Sequence, residues 1–366
     1  MRRGGDVASD LTVSIDAMGG DYAPACVIEG LETALVRHPG LRALLFGDEH
    51  ALSAQLAKHP KVAAACSVHH TADQVSMDDK PSEAVRRGRQ TSMWLAVNAV
   101  RRGEARVAVS AGNTGALMAM AKIQLKTLPG ITRPAIAAIW PTLAGRSVVL
   151  DLGANLENDE KELVDFAILG EAYARAMFGI ERPSVALLNI GEEELKGREE
   201  IRAAASILRE ANFDMKFIGF VEGNDIGKGA ADVIVTDGFT GNIALKTAEG
   251  TAKQVGQYLK DALNASLLSK LGALLAKGSF QALKAKMDPR GMNGGVFLGL
   301  NGVVVKSHGG TDAHGFAASL DLAVDLVRND FEAPVAERLA ALGEALGAKP
   351  EAAGAIADPS VGIAAS

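Results

Sequence analysis

Short apolar runs alternate along this chain with stretches whose apolar residues recur at helical spacing. Runs such as SVVLDL (147–152) and SVALLNI (184–190) are almost continuously apolar, which is typical of strands buried on both faces. Their alternation with helical stretches predicts a doubly wound, largely parallel sheet in an α/β/α sandwich. The predicted strands are Leu11–Asp16, Arg42–Phe46, Val107–Ser110, Ala135–Ile139, Ser147–Leu152, Ser184–Ile190, Lys216–Phe220, Val233–Thr236 and Val303–Lys306. The predicted helices include Pro24–Arg37, Ser82–Arg101, Thr114–Lys126, Glu160–Met177, Lys196–Ala211 and Asn242–Leu263.

Seven of these strands run into loops that combine glycine with small polar residues. Ligands of open parallel sheets bind beyond the carboxyl ends of the strands, so we expect the seven loops to share one edge and one cleft. Glycine lets the backbone approach a ligand, and free N–H groups at a helix start bind anions. The candidate phosphate- and substrate-binding residues are Asp16, Gly19, Gly20, Asp21, Gly112, Asn113, Thr114, Gly115, Asn155, Asn189, Asn224, Asp237, Thr240, Gly241 and Lys306. For any single loop, the alternative is that these are ordinary turn and cap residues.

The net charge, the cysteines and the hydropathy of the chain exclude several classes of protein. The formal net charge is -6, so the basic excess of a nucleic-acid-binding protein is missing. The two cysteines, Cys26 and Cys66, lack a metal-type spacing and are expected to be buried thiols in a reducing compartment. The first residues lack the apolar core of a signal peptide, and we find no apolar window of transmembrane length. These features predict a cytoplasmic protein.

Familiar cofactor and nucleophile motifs are missing from the sequence. It contains no G-x-x-x-x-G-K-[ST] loop, no G-x-G-x-x-G after a strand, no G-x-S-x-G elbow and no H-E-x-x-H pair. We therefore expect no cofactor and no metal. The chemistry left open is direct attack by a substrate that is already nucleophilic, helped by positioning and charge stabilisation.

Several ordered motifs resemble those of a known family. They are IDAMGGDYAP (15–24), SAGNTGALMA (110–119), LDLGAN (150–155), NIGEEELKG (189–197), GNDI (223–226), DGFTGNIALKTAEG (237–250) and NGVVVKSHGGTDA (301–313). Together they resemble the phosphate acyltransferases of phospholipid synthesis, known as PlsX. The resemblance implies a fold similar to phosphotransacetylases and the isocitrate dehydrogenase-like group. It also implies a homodimer, acyl carrier protein as donor, inorganic phosphate as acceptor, and an acyl phosphate that a membrane glycerol-3-phosphate acyltransferase uses.

Three residues in these motifs are candidates for the chemistry of acyl transfer. Lys196 is expected at the start of a helix, where its ammonium could hold phosphate or stabilise developing charge. Asn242 could polarise the thioester carbonyl, and His308 could transfer a proton or contact phosphate. The alternatives are a solvated lysine, a helix-capping asparagine and a structural histidine.

Two surface regions suggest macromolecular partners. Arg86, Arg87 and Arg89 are proposed to dock the acidic carrier protein, with a solvated helix face as the alternative. Residues 250–290 form a basic amphipathic element within a catalytic domain that spans 11–330, and an Ala-rich extension covers 331–366. This element could dimerise while its tip rests on the inner face of the cell membrane as a peripheral contact. The expected membrane-contact residues are Leu267, Leu271, Leu274 and Leu275.

Three other functions are alternatives to acyl transfer from acyl carrier protein to phosphate. A phosphotransacetylase-like enzyme would act on a short acyl-CoA instead of a carrier-bound acyl group. A decarboxylating dehydrogenase of the same fold type would need metal-binding acids and a nicotinamide site. A non-catalytic scaffold that recruits enzymes to the membrane would not need seven polar glycine loops, so it ranks last.

Overall fold

The computed structural model describes residues 11–210, 215–280, 293–329 and Val335. Within these residues, eleven strands form one sheet in the order β3-β2-β1-β4-β11-β10-β5-β6-β9-β7-β8. The predicted extension 331–366 lies outside the described residues except for Val335, and so do residues 281–290 of the predicted helical element.

The strands match the predicted apolar runs closely, and two were not predicted. Their bounds are β1 Leu11–Asp16, β2 Leu41–Gly47, β3 Cys66–His70, β4 Val107–Ser110, β5 Ala135–Thr142, β6 Gly145–Leu150, β7 Ser184–Leu188, β8 Lys216–Val221, β9 Val233–Val235, β10 Gly295–Leu298 and β11 Val303–Lys306. The strands missed from sequence are β3 and β10. β3 is a polar edge strand without a strong apolar pattern, whereas β10 is a short apolar run, GVFL, that the sequence analysis did not assign.

Helices connect most of the strands. Their bounds are α1 Ala25–Arg37, α2 Glu49–Leu56, α3 Pro60–Ala65, α4 Pro81–Arg87, α5 Ser92–Arg101, α6 Thr114–Leu125, α7 Glu160–Phe178, α8 Glu199–Glu210, α9 Gly223–Lys228, α10 Gly238–Asn264, α11 Leu267–Leu275 and α12 Ala313–Arg328. The helix predicted over 82–101 is two helices. α4 ends at Arg87 with Gly88 as its C-cap, and Thr91 caps a new helix by accepting a hydrogen bond from the Trp94 N–H.

The sheet is mostly parallel, but it contains two sets of strands that run in opposite directions. β1, β2, β3, β4 and β11 pair in parallel, as do β6, β9, β7 and β8. The pairings β11–β10, β10–β5 and β5–β6 are antiparallel, and three reversals leave the two sets antiparallel to each other. The expectation that all seven glycine loops share one edge is therefore wrong. Three of them follow strands of the first set and four follow strands of the second.

Apolar side chains cover both faces of the sheet, which confirms the α/β/α sandwich. In β11, Val303 and Val305 join a core cluster that contains Phe316 of α12, while Val304 points to a cluster on the other face with Met120 of α6. Such alternation is the consequence of the two-residue period of a strand. It explains why the buried strands read as continuous apolar runs in the sequence.

The pair of helices α10 and α11 is exposed along most of its length. α10 has 27 residues, but its buried residues are only Gly238 and Gly241 at the first turn, and α11 has none. No helix among the described residues is both long enough and apolar enough to cross a membrane.

Candidate active site

Loops from the first set of strands converge around the buried carboxylate of Asp16. Ser92 and Ser110 donate hydrogen bonds of 2.6 Å each to Asp16, and the Met18 N–H donates a third. A Cβ at Gly19 would lie 2.5 Å from Asp16 Oδ2 and 2.7 Å from the Gly112 nitrogen, so glycine is required by this close approach. The predicted residues Asp16, Gly19 and Gly112 thus lie together.

The loop after β11 closes the same cluster. The Asp21 N–H donates to the Gly309 carbonyl at 2.9 Å. Lys306 is buried, and its ammonium donates to the carbonyls of Ala111 and Ser307. Burial lowers the pKa of Lys306 to about 8, although the neighbouring Asp16 carboxylate opposes this shift. Burial also raises the pKa of Asp16. Lys306 therefore holds the β4 and β11 loops together from inside the cluster.

The Asn113 side chain forms hydrogen bonds with other residues of the protein. Its Oδ1 accepts from the Ala116 N–H at the start of α6, and its Nδ2 donates to the carbonyls of Met77 and Asp79. A Cβ at Gly115 would lie 2.7 Å from Cγ of Pro81 in α4. For these two residues the turn-and-cap alternative is the one that the structure supports.

In the second set of strands, Asp151 organises the loop that follows β6. Its carboxylate accepts hydrogen bonds from the N–H groups of Gly153, Ala154 and Asn155, from the Asn155 side chain and from the Ile136 N–H. Burial raises its pKa to about 6 while the N–H donors act to lower it, so the group is ionised at neutral pH. The predicted Asn155 also donates to the Pro134 carbonyl and is a structural member of this loop.

The start of α10 lies against this loop. Asp237 caps α10 through the Thr240 N–H, accepts from the Thr240 hydroxyl and pairs with Arg198 at 2.6 Å. A Cβ at Gly241 would overlap the Asp151 carbonyl oxygen, so the helix can approach the loop only through glycine. The predicted residues Asp237, Thr240 and Gly241 are therefore brought together. They belong to α10 and its cap, because the helix begins four residues earlier than predicted.

Lys196 lies in the loop before α8. The helix begins at Glu199, so the expectation that Lys196 starts it is wrong. The main-chain carbonyl of Lys196 accepts from Asn189 Nδ2 at 3.1 Å, which ties this loop to the end of β7. Its ammonium is exposed and has no hydrogen-bond or ion-pair partner within the part of the chain that the structure describes.

Two predicted features lie apart from these contacts. Asn224 is exposed on α9, and its side chain makes no hydrogen bond to a described residue. Arg86, Arg87 and Arg89 are exposed on and just after α4, where none of the three forms an ion pair within the described ranges. The three arginines therefore carry positive charge at the surface that no described residue neutralises.

The first three turns of α10 connect the two clusters of loops. Asn242 faces the β6 loop, since a Cβ at Gly153 would lie 3.4 Å from the Asn242 Cβ. One turn later, the Lys246 ammonium lies 3.2 Å from Nε2 of His308, in the loop after β11. Residues four apart on a helix share a face, with Cβ atoms about 5–6 Å apart. The two edges of the sheet thus meet along one face of α10.

The hydrogen bonds of His308 create a pair of facing donors. The Gly310 N–H points at Nδ1 of His308 at 3.2 Å, and from this contact we assign the ring proton to Nε2. Burial and the Lys246 charge lower the pKa of His308, so the ring is neutral at pH 7. Nε2–H and the Lys246 ammonium are then both donors at 3.2 Å from each other. An oxyanion that accepts from both would resolve this conflict.

Sequence reasoning missed several of these residues. Lys246 has the spacing of an ordinary solvated lysine in a helix, and only the fold places it against His308. Ser92 was read as part of a helical stretch, yet it reaches Asp16 from a different segment of the chain. Asp151 was visible in LDLGAN, but its role as acceptor for an entire loop depends on main-chain geometry.

A mostly parallel sheet with helices on both faces defines this protein as an α/β protein with the phosphotransacetylase fold. A phosphotransacetylase from Streptococcus pyogenes superimposes with a TM-score of 0.56 at 18% sequence identity, covering 90% of this chain and 94% of that one. A 4-hydroxythreonine-4-phosphate dehydrogenase from Klebsiella pneumoniae gives a TM-score of 0.51 at 15% identity, covering 88% and 99%. These likenesses confirm the predicted fold class.

Sequence comparison identifies the family. Residues 11–333 match the family described as Fatty acid synthesis protein. A phosphate acyltransferase from Nitrobacter hamburgensis is 61% identical over 87% of this chain and 90% of its own length. One from Xanthobacter autotrophicus is 58% identical over 91% and 94%. The chain belongs to the fatty acid synthesis protein family and is an acyltransferase, so the resemblance seen in the motifs is confirmed.

Proposed function

We propose that this enzyme transfers a fatty acyl group from acyl carrier protein to inorganic phosphate and so supplies acyl phosphate for phospholipid synthesis. Its curated relatives carry the name phosphate acyltransferase, which supports phosphate as the acceptor. The observation that carries the proposal is the pair of facing donors on Lys246 and His308. This pair needs an anionic acceptor, and it lies one helical turn from Asn242.

Inorganic phosphate fits between the Lys246 ammonium and Nε2–H of His308. Both groups would donate to phosphate oxygens, and charge-assisted hydrogen bonds of this type are among the stronger ones in proteins. Glu249 pairs with Lys246 at 3.0 Å and so offsets part of the positive charge of the lysine. A phosphate that carries a proton would donate a hydrogen bond to this carboxylate. Because His308 is neutral and its Nδ1 faces Gly310, phosphate contact is a better role for it than proton transfer.

We assign the thioester to Asn242 and Lys196. The Asn242 amide is exposed on the face of α10 that carries Lys246, and its N–H groups would donate to the thioester oxygen as it becomes an oxyanion. The unpaired Lys196 ammonium supplies positive charge from the loop that Asn189 ties to the end of β7. These groups stabilise charge that develops only during the reaction.

The reaction needs no covalent enzyme intermediate. A phosphate oxygen attacks the acyl carbon, and the carbonyl π electrons move to the oxygen that Asn242 contacts. When that oxyanion collapses, the C–S bond breaks and its electron pair leaves with the thiolate of the carrier arm. Acyl phosphate and the free carrier protein are the products. The enzyme contributes orientation of the two substrates and stabilisation of the oxyanion.

The exposed surfaces support the proposed partners. Arg86, Arg87 and Arg89 offer positive charge for docking the acidic carrier protein. The exposed stem of α10 provides a surface for a second copy of this chain, with Tyr258 64% and Val255 47% exposed. Exposed leucines of α11, among them Leu267 and Leu275, together with nearby lysines suit contact with the anionic inner face of the membrane. We propose a cytoplasmic homodimer that associates peripherally with that membrane.

The proposed activity is tested by mixing the enzyme with phosphate and long-chain acyl-[acyl carrier protein], then trapping acyl phosphate as a hydroxamate with hydroxylamine. A short acyl-CoA is run in parallel, because the phosphotransacetylase fold makes that donor the principal alternative. We expect a phosphate-dependent hydroxamate with the carrier-bound donor and a far lower kcat/KM with the short acyl-CoA. The opposite preference would refute the assignment of the donor.

A further inference from the structure

A cavity of about 610 Å³ lies beside the candidate active site. It is lined by Met118 and Lys122 of α6, by Arg133 and Pro134 before β5, and by residues 154–157 of the loop after β6. Ligand-binding cavities commonly have volumes of roughly 300–1,000 Å³. This cavity is therefore large enough for an elongated organic group, and the roles proposed above have not used it.

Part of the cavity wall adjoins the loop residue that contacts Asn242. Ala154 and Asn155 line it, and the preceding residue, Gly153, is the one that lies against Asn242. The hydrogen bonds from 153–155 to Asp151 hold this stretch of loop in place. A chain that fills the cavity therefore ends within one residue of the amide assigned to the thioester oxygen.

The cavity lining combines the cations Lys122 and Arg133 with apolar side chains, and Glu157 adds one carboxylate. The Lys122 ammonium donates to the Thr132 carbonyl at 3.0 Å and forms no ion pair with a described residue. Arg133 binds the buried Glu162 through Nε at 3.0 Å, while its side chain remains 49% exposed and its terminal nitrogens make no hydrogen bond to the described residues. Met118, Pro134, Ala154 and Leu156 supply the apolar surface.

We propose that this cavity binds the phosphopantetheine arm of the acyl donor, with its phosphodiester at Lys122 and Arg133 and its thioester at Asn242. This inference rests on the proposed function and adds which residues recognise which part of the donor. A long, flexible arm with one anionic end and one reacting end suits a cavity whose lining includes these two cations and also Ala154, the neighbour of the residue that lies against Asn242.

Two donors that differ only in the phosphate test the proposal: octanoyl-phosphopantetheine and octanoyl-pantetheine. With the unmodified enzyme, removing the donor phosphate should lower kcat/KM roughly 10-fold, as expected for loss of a charge-assisted hydrogen bond. In Lys122→Ala and in Arg133→Gln, removing the donor phosphate should lower kcat/KM much less, because a cation proposed to bind that phosphate is no longer present. Lys61→Ala, an exposed lysine on α3, is the control and should keep the full difference.

The outcomes separate this inference from the proposed function. If neither small donor yields acyl phosphate but acyl-[acyl carrier protein] does, the variants are tested with acyl-[acyl carrier protein]. The KM for this donor should then rise in both Lys122→Ala and Arg133→Gln. If Lys122→Ala and Arg133→Gln lose equal activity with both small donors, the cations do not read the donor phosphate and the proposal is wrong. It is also wrong if the variants raise the KM for inorganic phosphate alone, since the cavity would then hold the acceptor. No product from any donor would overturn the proposed function itself.

Discussion

Asn242 occupies the position where the two parts of the site meet. On one side it lies against Gly153, and on the other it shares a helical face with Lys246, which contacts His308. Its side chain makes no hydrogen bond within the described structure and is exposed. An amide without structural partners at this junction is free to bind a reacting group.

Replacing Asn242 with alanine should lower kcat roughly 100-fold or more, because one donor to the developing oxyanion is lost. Lys196→Ala should lower kcat to a similar extent through loss of positive charge. Steady-state kinetics with acyl-[acyl carrier protein] measures both effects, and thermal unfolding should show an unchanged Tm. A folded variant with near-normal turnover would remove that residue from the mechanism.

Lys306 should make the stability of the protein depend on pH in the alkaline range. Its pKa is about 8 in the folded protein and about 10.5 in the unfolded chain, so between these values the unfolded chain binds more protons. The free energy of unfolding contributed by this residue therefore rises with pH across that window, by about 1–3 kcal/mol. Urea denaturation at several pH values, with Lys306→Met as the comparison, measures it. A parallel pH dependence in the two proteins would contradict the buried-lysine assignment.

α10 is the element on which the site depends. It starts at the loops of the second set of strands and carries Lys246 to the loop after β11. Gly241 allows its first turn to touch the Asp151 carbonyl, and beyond that turn the helix contributes no buried residue. Its position is therefore set by a small number of contacts at its N-terminal end.

Two glycines of α10 offer a matched pair of substitutions. Gly241→Ala should destabilise the protein by about 1–3 kcal/mol and reduce turnover, because the new methyl group overlaps the Asp151 carbonyl. Gly250→Ala in the same helix meets no atom within 4 Å and should stabilise it by about 0.5–1 kcal/mol. Denaturant titration of both variants measures the difference. Equal effects would show that the first turn of α10 does not pack as described.

α4 should determine how well the enzyme accepts its protein donor. The double variant Arg86→Glu, Arg87→Glu should raise the KM for acyl-[acyl carrier protein] roughly 10-fold at low salt and leave the KM for octanoyl-phosphopantetheine unchanged. Lys58→Glu, an exposed charge reversal after α2, serves as the control. Unchanged kinetics and salt response with the protein donor would place the docking surface elsewhere.

The whole molecule combines a rigid sheet with an exposed helical pair. Apolar clusters on both faces of the sheet hold the loops of the site, whereas α10 and α11 extend with their apolar side chains uncovered. Exposed apolar patches of this kind are typical of surfaces that bind a partner or a membrane. This division agrees with the proposal that acyl transfer occurs at the sheet and association at the helices.

Leu271→Glu tests the membrane contact of the whole enzyme. We expect the partition of the protein onto anionic vesicles to fall roughly 10-fold in sedimentation, since an exposed apolar side chain proposed to enter the bilayer is replaced by a charge. Leu143→Glu, on an exposed turn between β5 and β6, is the control and should sediment like the original protein. Analytical ultracentrifugation without lipid reports the dimer separately. Unchanged vesicle binding would show that α11 packs only against protein.

The local pattern along the chain was enough to predict nine of the eleven described strands and the layered α/β architecture, and the ordered motifs indicated the family. β1, β4 and β11 were predicted to the residue, because strands buried on both faces leave uninterrupted apolar runs. Asp16, Gly19 and Gly112 were correctly expected in one cluster, since their loops follow neighbouring parallel strands. These features depend on short-range chemistry that a sequence displays directly.

The relation between the two halves of the site came from tertiary structure alone. Strand direction depends on pairings between distant segments, and the unpredicted strand β10 takes part in two of the antiparallel pairings that reverse it. The approach of Lys246 to His308 and of Asn242 to Gly153 depends on where one helix crosses between the two edges. No local pattern records such contacts, because each joins residues far apart in the chain whose spacing is set by packing.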